Sequence, residues 1–248
     1  ANTSLTGDGE GDNVNLISDN VVIVAEDSGN IFTADNPLII APNLSDTVNL
    51  KLIKTTAGGA YDASAHVVAS RAGDNVNLHD SEIAAGGLLD LTVAAGNALI
   101  NRIGINQGGV INLTVGTGDI IMNEVDVSGT LDMSTGGGDI TMNEVDISGG
   151  MTADTLAGDV NMNDVDVTSA GALGIASGQG DVIVDQVSSD GTLQITTDDG
   201  SLLMKDEDSI LTVGKNSTAT EGNTWVDIGG DIGTPDGTFR VNIWLDEN

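Results

Sequence analysis

GDIIMNEVDVSGTLDMSTGG (118–137) is followed directly by GDITMNEVDISGGMTADTLA (138–157), and the two segments are near copies of each other. Two further segments keep the same opening, namely GDVNMNDVDVTSAGALGIASGQ (158–179) and GDVIVDQVSSDGTLQITTDD (180–199). The glycines that open successive segments are therefore 20 or 22 residues apart. Self-similarity at such a period indicates a stacked repeat architecture.

Within each segment, apolar residues alternate with polar ones. In the first segment the alternating residues are Ile120 and Met122, Val125 and Val127, and Leu131 and Met133. This period of two predicts β-strands, three short ones per unit. Because so short a unit cannot bury its apolar side alone, it must stack on its neighbours. We therefore predict an all-β fold, a parallel β-helix (β-solenoid) with 20–22 residues and three short strands per coil.

Stacking also predicts which residues become vertical neighbours. The expected apolar columns are Met122, Met142, Met162, Val184 and Met204; Ile120, Ile140, Val160, Val182 and Leu202; Val125, Val145, Val165 and Val187; and Val127, Ile147 and Val167. A row of asparagines is expected at Asn123, Asn143 and Asn163, continued by Asp185. Their stacked amides should hydrogen-bond along the row, as amides do in cross-β stacks.

The repeat divides one continuous domain into three parts. Residues 1–72 carry a looser pattern, which predicts irregular N-terminal coils that could include a cap. Residues 73–213 hold the regular repeats, and the charged run at 205–208 predicts that the last coil opens there. Residues 214–248 contain both tryptophans and are predicted to form a C-terminal cap or a segment that joins another copy. The solenoid is expected to have about ten to twelve coils and a length of roughly 50 Å.

Charge is the dominant feature of the composition. The chain has 38 acidic and 7 basic residues, a formal net charge of −31 at pH 7. This balance argues against nucleic acid as a partner, because few groups could neutralise phosphates, and against anionic membranes. No apolar run approaches the roughly 18 residues that span a bilayer, so we expect no membrane insertion. The acidity, the scarcity of lysine, the absence of cysteine and the repeats together predict a secreted or cell-surface protein.

Units such as GDITMNEVDISG (138–149) and GTLQITTDDG (191–200) resemble the haemagglutinin-type repeats of filamentous-haemagglutinin-like large exoproteins and related bacterial surface adhesins. The resemblance covers residues 73–213, with a weaker echo at 11–24. It implies a right-handed parallel β-helix, secretion, and a stalk or adhesive role. The secretion domain of that family carries Asn-Pro-Asn motifs, which only Asn36-Pro37 and Ala41-Pro42-Asn43 approach here.

Stacking would also turn acidic residues into rows. The expected rows are Asp119, Asp139, Asp159 and Asp181; Asp126, Asp146 and Asp166; and Glu124, Glu144 and Asp164. Like charges one strand spacing apart repel by about 1 kcal/mol in water and by several at an effective dielectric of about 20. Solvation and salt can offset this repulsion, and so can Ca²⁺, which takes several carboxylate oxygens. The two Asp rows are therefore candidate metal ligands, although no cofactor is required and neither an RTX nor an EF-hand motif occurs.

Catalytic chemistry finds little support in the sequence. His66 and His79 lie apart without a nucleophile motif, and His79 falls in the corner position that Asn123 holds elsewhere. Polysaccharide-cleaving β-helices need aromatic and basic residues, yet none of either lies between positions 103 and 204. The expected outward column, which runs Ile121, Thr141, Asn161 and Ile183, is irregular and argues against an ice-binding face.

These features predict a non-catalytic structural protein at the cell surface or outside the cell. It would be the stalk of an adhesin or the subunit of a fibre or matrix. The alternative is a β-helix protein that binds or cleaves polysaccharide. Solenoid ends are strand edges, so end-to-end self-association is the expected protein contact. A host surface or matrix glycan is the other candidate partner.

Overall fold

The computed structural model describes residues 16–25, 37–41, 47–54, 64–83, 86–105, 108–168, 171–213, 224–233 and 241–243. These residues are all-β, with no helix among them. The strands in chain order are β1 Leu16–Ile17, β2 Asn20–Ala25, β3 Leu38–Ala41, β4 Thr47–Lys54, β5 Ser64–Ala72, β6 Asn75–Ile83, β7 Leu88–Ala95, β8 Ala98–Ile105, β9 Val110–Val115, β10 Ile120–Val127 and β11 Thr130–Thr135. They continue as β12 Ile140–Ile147, β13 Met151–Thr155, β14 Val160–Val167, β15 Leu173–Ser177, β16 Val182–Ser189, β17 Leu193–Thr197, β18 Leu202–Met204, β19 Leu211–Val213, β20 Thr224–Ile228, β21 Ile232–Gly233 and β22 Val241–Ile243.

Two parallel sheets run along the molecule. In the part of the chain that the structure describes, the first sheet holds ten strands in the order β1-β3-β5-β7-β9-β11-β13-β15-β17-β20. The second holds twelve, with the main order β2-β4-β6-β8-β10-β12-β14-β16-β18-β21 and with β19 and β22 beside it. Up to β18, consecutive strands alternate between the two sheets, so each consecutive pair forms one coil. The predicted parallel β-solenoid is confirmed, with about seven regular turns.

The strand register confirms the predicted apolar columns. Strand pairing aligns Met122 in turn with Met142, Met162, Val184 and Met204. The same pairs align the columns that begin at Ile120, Val125 and Val127. All of these side chains are buried, as are all six methionines of the chain. A short phrase repeated in the sequence therefore becomes a continuous apolar core.

Each regular coil contains two strands instead of the predicted three. The first two predicted strands form a single strand, such as β10, which bends at Glu124 where φ is +54°. Because this corner residue interrupts the alternation, Met122 and Val125 both point into the core although they are three residues apart. The same bend recurs in successive coils at Asp80, Arg102, Glu144, Asp164 and Gln186.

Regularity is lost towards both ends. In the N-terminal coils, the β4–β6 pair shifts register between Leu50 and Ile53, and the β5–β7 pair shifts between Ala69 and Ala72. Both shifts lie within residues 1–72, where the sequence predicts irregular coils. The predicted opening of the last coil is confirmed, because β18 stops at Met204, residues 205–208 form an exposed turn, and β19 begins at Leu211.

The segments assigned as caps stay a prediction. Strands β20, β21 and β22 continue the sheets beyond the regular coils. Residues 11–15 of the weaker echo and Trp244 of the C-terminal segment lie outside the described residues. Within the described part of the chain, the structure contains no helix long and apolar enough to cross a membrane.

Candidate functional site

The repeated glycines form one corner of the stack. Gly118, Gly138, Gly158, Gly180 and Gly200, together called the glycine corner, lie one above another. An ideal Cβ at Gly138 would lie only 2.1 Å from the Gly118 carbonyl oxygen, and one at Gly158 only 2.0 Å from that of Gly138. The backbone of one coil therefore touches the backbone of the next, and no side chain fits between them.

Buried hydroxyl groups hold the glycine corner together. Thr155 Oγ1 donates to the carbonyl oxygen of Gly138 (2.9 Å) and accepts the N–H of Gly158 (3.0 Å). One coil along, Ser177 Oγ contacts the carbonyl oxygens of Gly158 and Gly180 at 3.0 and 2.7 Å. Equivalent positions in the neighbouring coils carry Thr135 and Thr197, which are also buried. The sequence predictions missed this column, although a Thr or Ser stands three residues before every corner glycine except Gly118, which has Val115 there.

The first predicted Asp row lies beside the glycine corner and is in register. In each case the carboxylate accepts the backbone N–H of the corresponding residue in the next coil, with N···Oδ1 distances of 2.9 Å from Asp139 to Asp119 and 2.8 Å from Asp159 to Asp139. Asp181 donates in the same way to Asp159, and Ser201 donates to Asp181. One oxygen of each of these four carboxylates thus has a structural role that links successive coils.

The predicted asparagine row is confirmed as a hydrogen-bonded ladder. Asn143 Nδ2 donates to Asn123 Oδ1 at 2.9 Å, and Asn163 Nδ2 donates to Asn143 Oδ1 at 3.4 Å. The row extends further than predicted, because Asn123 donates to Asn101 at 2.8 Å, and Asn101 to Asn77 at 3.0 Å. Asp185 continues the column in register with Asn163. His79 pairs in register with Asn101, as its predicted corner position requires.

The second and third predicted acidic rows lie together on the outer surface. Glu124, Glu144 and Asp164 occupy the positive-φ bend, here called the acidic corner. Asp126, Asp146 and Asp166 are in register beside it. Burial and the neighbouring Asp166, Asp126 and Asp164 carboxylates raise the pKa of Asp146. Partial burial and, after it, like charges at this corner thus disfavour ionisation of Asp146.

The N-terminal end of the same corner carries an ion pair. Arg102 Nε donates to Asp80 Oδ1 at 2.6 Å, and the His79 ring nitrogen Nδ1 lies 3.2 Å from Asp80 Oδ2. Hydrogen bonds from Arg102 and then His79 hold the pKa of Asp80 well below its usual range. The carboxylate also raises the pKa of Arg102. Charge at the acidic corner is therefore compensated near Asp80, whereas Asp146 lies among other carboxylates.

Calcium binding by the two Asp rows stays a prediction. Stacking brings each row together, but among the described residues no group of three or more His, Cys, Asp or Glu side chains is arranged to hold a metal ion. The first row bonds to the backbone, and Asp166 of the second row accepts a hydrogen bond from Ser188 Oγ. A thermal melt in millimolar calcium and in EDTA tests the prediction, and an unchanged midpoint would remove calcium as a structural partner.

A groove of about 470 Å³ lies on the outer face of the second sheet across β12, β14, β16 and β18. Its lining residues are Thr141, Met142, Asn143, Asn161, Met162, Asn163, Ile183, Leu203, Met204 and Lys205. None of these residues is acidic. Lys205 Nζ lies 3.1 Å from Asp185 Oδ2, so the single charged lining residue is paired. We call this feature the neutral groove. Its outward side chains belong to the irregular column that begins at Ile121.

No protein-family model matches the chain, and neither a curated protein nor a solved structure matches it. The parallel β-solenoid fold is thus established by the structure itself. The adhesin role implied by the likeness of the repeats to haemagglutinin-type adhesins stays a proposal. The prediction that the protein is not an enzyme also stays a prediction.

Proposed function

We propose that this protein is a structural rod that acts outside the cell or on its surface, as the stalk of an adhesin or as a subunit of a fibre. The observation that supports the proposal most strongly is the uninterrupted register from β6 to β18. Backbone hydrogen bonds link each of these coils to the next, and the asparagine ladder and the aspartate row add side-chain links between several of them. A stack cross-linked in this way along its whole length resists bending and holds its two ends apart.

The composition supports a role in which the surface stays solvated. A net charge of −31 keeps separate rods apart by repulsion, and the apolar side chains are used to fill a narrow core. A stalk needs only length, stiffness and solubility, and stacked coils supply about 4.8 Å of length for each coil added.

Electron microscopy of the purified chain tests this proposal and separates its two forms. Monodisperse rods about 45 Å long, one strand spacing per rung of the ten-stranded sheet, would support a stalk. Filaments would support a fibre subunit. Particles without a long axis would contradict both forms.

The exposed apolar residues of the final coil allow a sharper test of the fibre form. Trp225 and Val226 on β20 are 62% and 40% exposed, and Leu156, away from the ends, is 67% exposed. If copies join end to end through β20, the W225K/V226K double variant should abolish filaments, whereas L156K should leave them intact. Equal loss in both variants would show that general exposed apolar surface, rather than the end of the rod, drives association.

A further inference from the structure

The neutral groove differs chemically from the surface around it. The chain has 38 acidic residues, but the ten residues that line the groove include none. The acidic corner is the bend of these same strands, and its neighbouring row of aspartates lies on the arm beyond the bend. An acidic rod thus carries a strip that no acidic residue lines and whose one charged residue, Lys205, is paired with Asp185. The strip follows the direction in which the coils stack.

The shape of the groove comes from one outward column of side chains. Strand pairing places Ile121, Thr141, Asn161, Ile183 and Leu203 one above another. Thr141 and Asn161 are smaller than the aliphatic side chains on either side of them, so the surface is depressed over their two coils. Thr141 and Asn161 contribute polar groups to its lining, and Ile183 and Leu203 contribute apolar ones. Its volume falls within the range of about 300–1,000 Å³ that is typical of ligand sites.

The amides along the groove keep bonding capacity for a ligand. An asparagine amide has two N–H donors and a carbonyl oxygen with two lone pairs. In the ladder, Asn143 uses one N–H toward Asn123 and accepts one hydrogen bond from Asn163. One donor and one lone pair of Asn143 remain, at the edge of the groove. Successive coils repeat such groups at the strand spacing of about 4.8 Å, which suits an extended chain with regularly placed polar groups.

We propose that the neutral groove binds an uncharged, hydroxyl-bearing saccharide chain that lies along the axis of the solenoid. Hydroxyl groups match the free donors and acceptors of Asn143, Asn161 and Thr141, and the C–H faces of sugar rings match Ile183 and Leu203. An anionic polymer is repelled by the net charge of −31, and a cationic ligand is attracted to the carboxylate rows instead. No aromatic side chain lines the groove, so each contact is weak and affinity grows with the number of sugar units.

This inference goes beyond the proposed rod, since a stalk needs no ligand. It also narrows the alternative of a polysaccharide-binding β-helix to one surface and one class of polysaccharide. The two proposals can therefore be tested separately. A variant whose groove is filled should still form a rod, and a rod that binds no saccharide could still act as a stalk.

The test is an NMR titration of protein carrying ¹³C-methyl-labelled Ile and Leu with neutral hexasaccharides of glucose, mannose, galactose and N-acetylglucosamine. At least one of these should shift the methyl signals of Ile183 and Leu203 in a saturable way and leave Leu156 unmoved. The T141I/N161I double variant fills the groove with a residue that the column already carries at Ile121 and Ile183. It should weaken binding at least tenfold.

Two further variants make the result specific. Gln194→Ile places the same side chain at an exposed position of the other sheet and should leave binding unchanged. Thr141→Val replaces only the hydroxyl group by a methyl group, so it tests the groove even if the double variant does not fold. It should weaken binding less than T141I/N161I does. Electron microscopy of each variant should still show rods, which separates failure of the groove from failure of the rod.

Several results would overturn the proposal. These are no saturable shift with any of the four hexasaccharides, equal affinity in T141I/N161I and the parent protein, or a hexauronate that binds as tightly as the neutral probes. If sedimentation shows that the parent protein is a dimer and that T141I/N161I is a monomer, the groove binds a second copy of the chain. That result would also rule out the saccharide.

Discussion

The glycine corner and the acidic corner turn the chain by different means. At the glycine corner the backbones of successive coils touch, and a Cβ at Gly158 would lie 2.0 Å from a carbonyl oxygen. At the acidic corner the backbone adopts positive φ, a conformation that usually favours glycine or asparagine. Yet this corner carries Glu124, Glu144 and Asp164, and these side chains are exposed. Glycine is thus required at the glycine corner, where a side chain has no space. It is not required at the acidic corner, where only the backbone conformation is unusual.

The comparison also separates two sources of stability. The glycine corner is closed by buried hydroxyl groups and by carboxylates that accept backbone N–H groups. The acidic corner gains nothing of this kind from Glu124, Glu144 and Asp164, which combine an unfavourable φ with mutual repulsion. We therefore expect substitutions to destabilise at the first corner and to stabilise at the second.

Replacing Gly158 by alanine should have the largest effect. The added methyl group has no room, so coils must separate, and we expect a loss of about 3 kcal/mol in the free energy of unfolding. Gly137→Ala is the matched control, because a Cβ there meets nothing within 4 Å. Thermal and urea denaturation measure both variants. Equal stabilities would show that the coils are not in contact at Gly158.

Thr155→Val should have the next largest effect. Valine keeps the shape but leaves the Gly158 N–H and the Gly138 carbonyl oxygen without their buried partner. The expected loss is about 1–3 kcal/mol. Thr130→Val is the control, since Thr130 is exposed. If both variants unfold at the same urea concentration, the hydroxyl column contributes nothing to the corner.

Glu144→Asn should stabilise the protein. Asparagine tolerates the φ of +55° at this position better than glutamate does, which gives an expected gain of about 0.5–1 kcal/mol. Glu144→Gln removes the same charge without the conformational benefit. A difference in melting temperature between the two variants measures the conformational part alone, and no difference would contradict the backbone argument.

Asp146→Asn should show the smallest effect, one that depends on pH. Because the pKa of Asp146 is raised in the folded state, its ionised form disfavours folding at neutral pH, and this penalty disappears as the pH falls below the ordinary value of 3.8. The variant should therefore melt above the parent protein at pH 7 and together with it near pH 3.5.

Asp80→Asn provides the opposite case. Since the pKa of Asp80 is lowered by Arg102, its carboxylate stabilises the fold above its ordinary pKa and loses this contribution as the pH falls through the lowered value. The variant should melt below the parent protein at pH 7. A pH-independent difference for both variants would contradict the contrast between the two carboxylates.

The core could be predicted from the sequence because the repeat carries it directly. Once Met122 and Met142 are 20 residues apart in matching phrases, stacking fixes the rest of their column. The asparagine ladder could be predicted for the same reason, because Asn123, Asn143 and Asn163 recur at the same spacing. Where the repeat weakens, before residue 73, the prediction lost detail, and the register shifts near Leu50 and Ala69 lie in that part.

The features that were missed depend on three-dimensional detail. Glutamate is an unusual residue at positive φ. The presence of Glu124 in the sequence therefore does not indicate a bend within one strand. A row of aspartates suggests a metal site equally well whether or not its oxygens already accept backbone N–H groups. The neutral groove arises from the sizes of Thr141 and Asn161 relative to their vertical neighbours, a difference that matters only after the coils are stacked.

Distances between pairs of spin labels along one column test the central claim, that each repeat adds one strand spacing along a rigid axis. Asn112, Asp132, Gln194 and Trp225 belong to one outward column of the first sheet. Labels at 132 and 194, at 112 and 194, and at 112 and 225 should lie about 14, 19 and 24 Å apart, with narrow distributions. Distances that do not increase by one spacing per coil, or that spread broadly, would contradict the stacked rod.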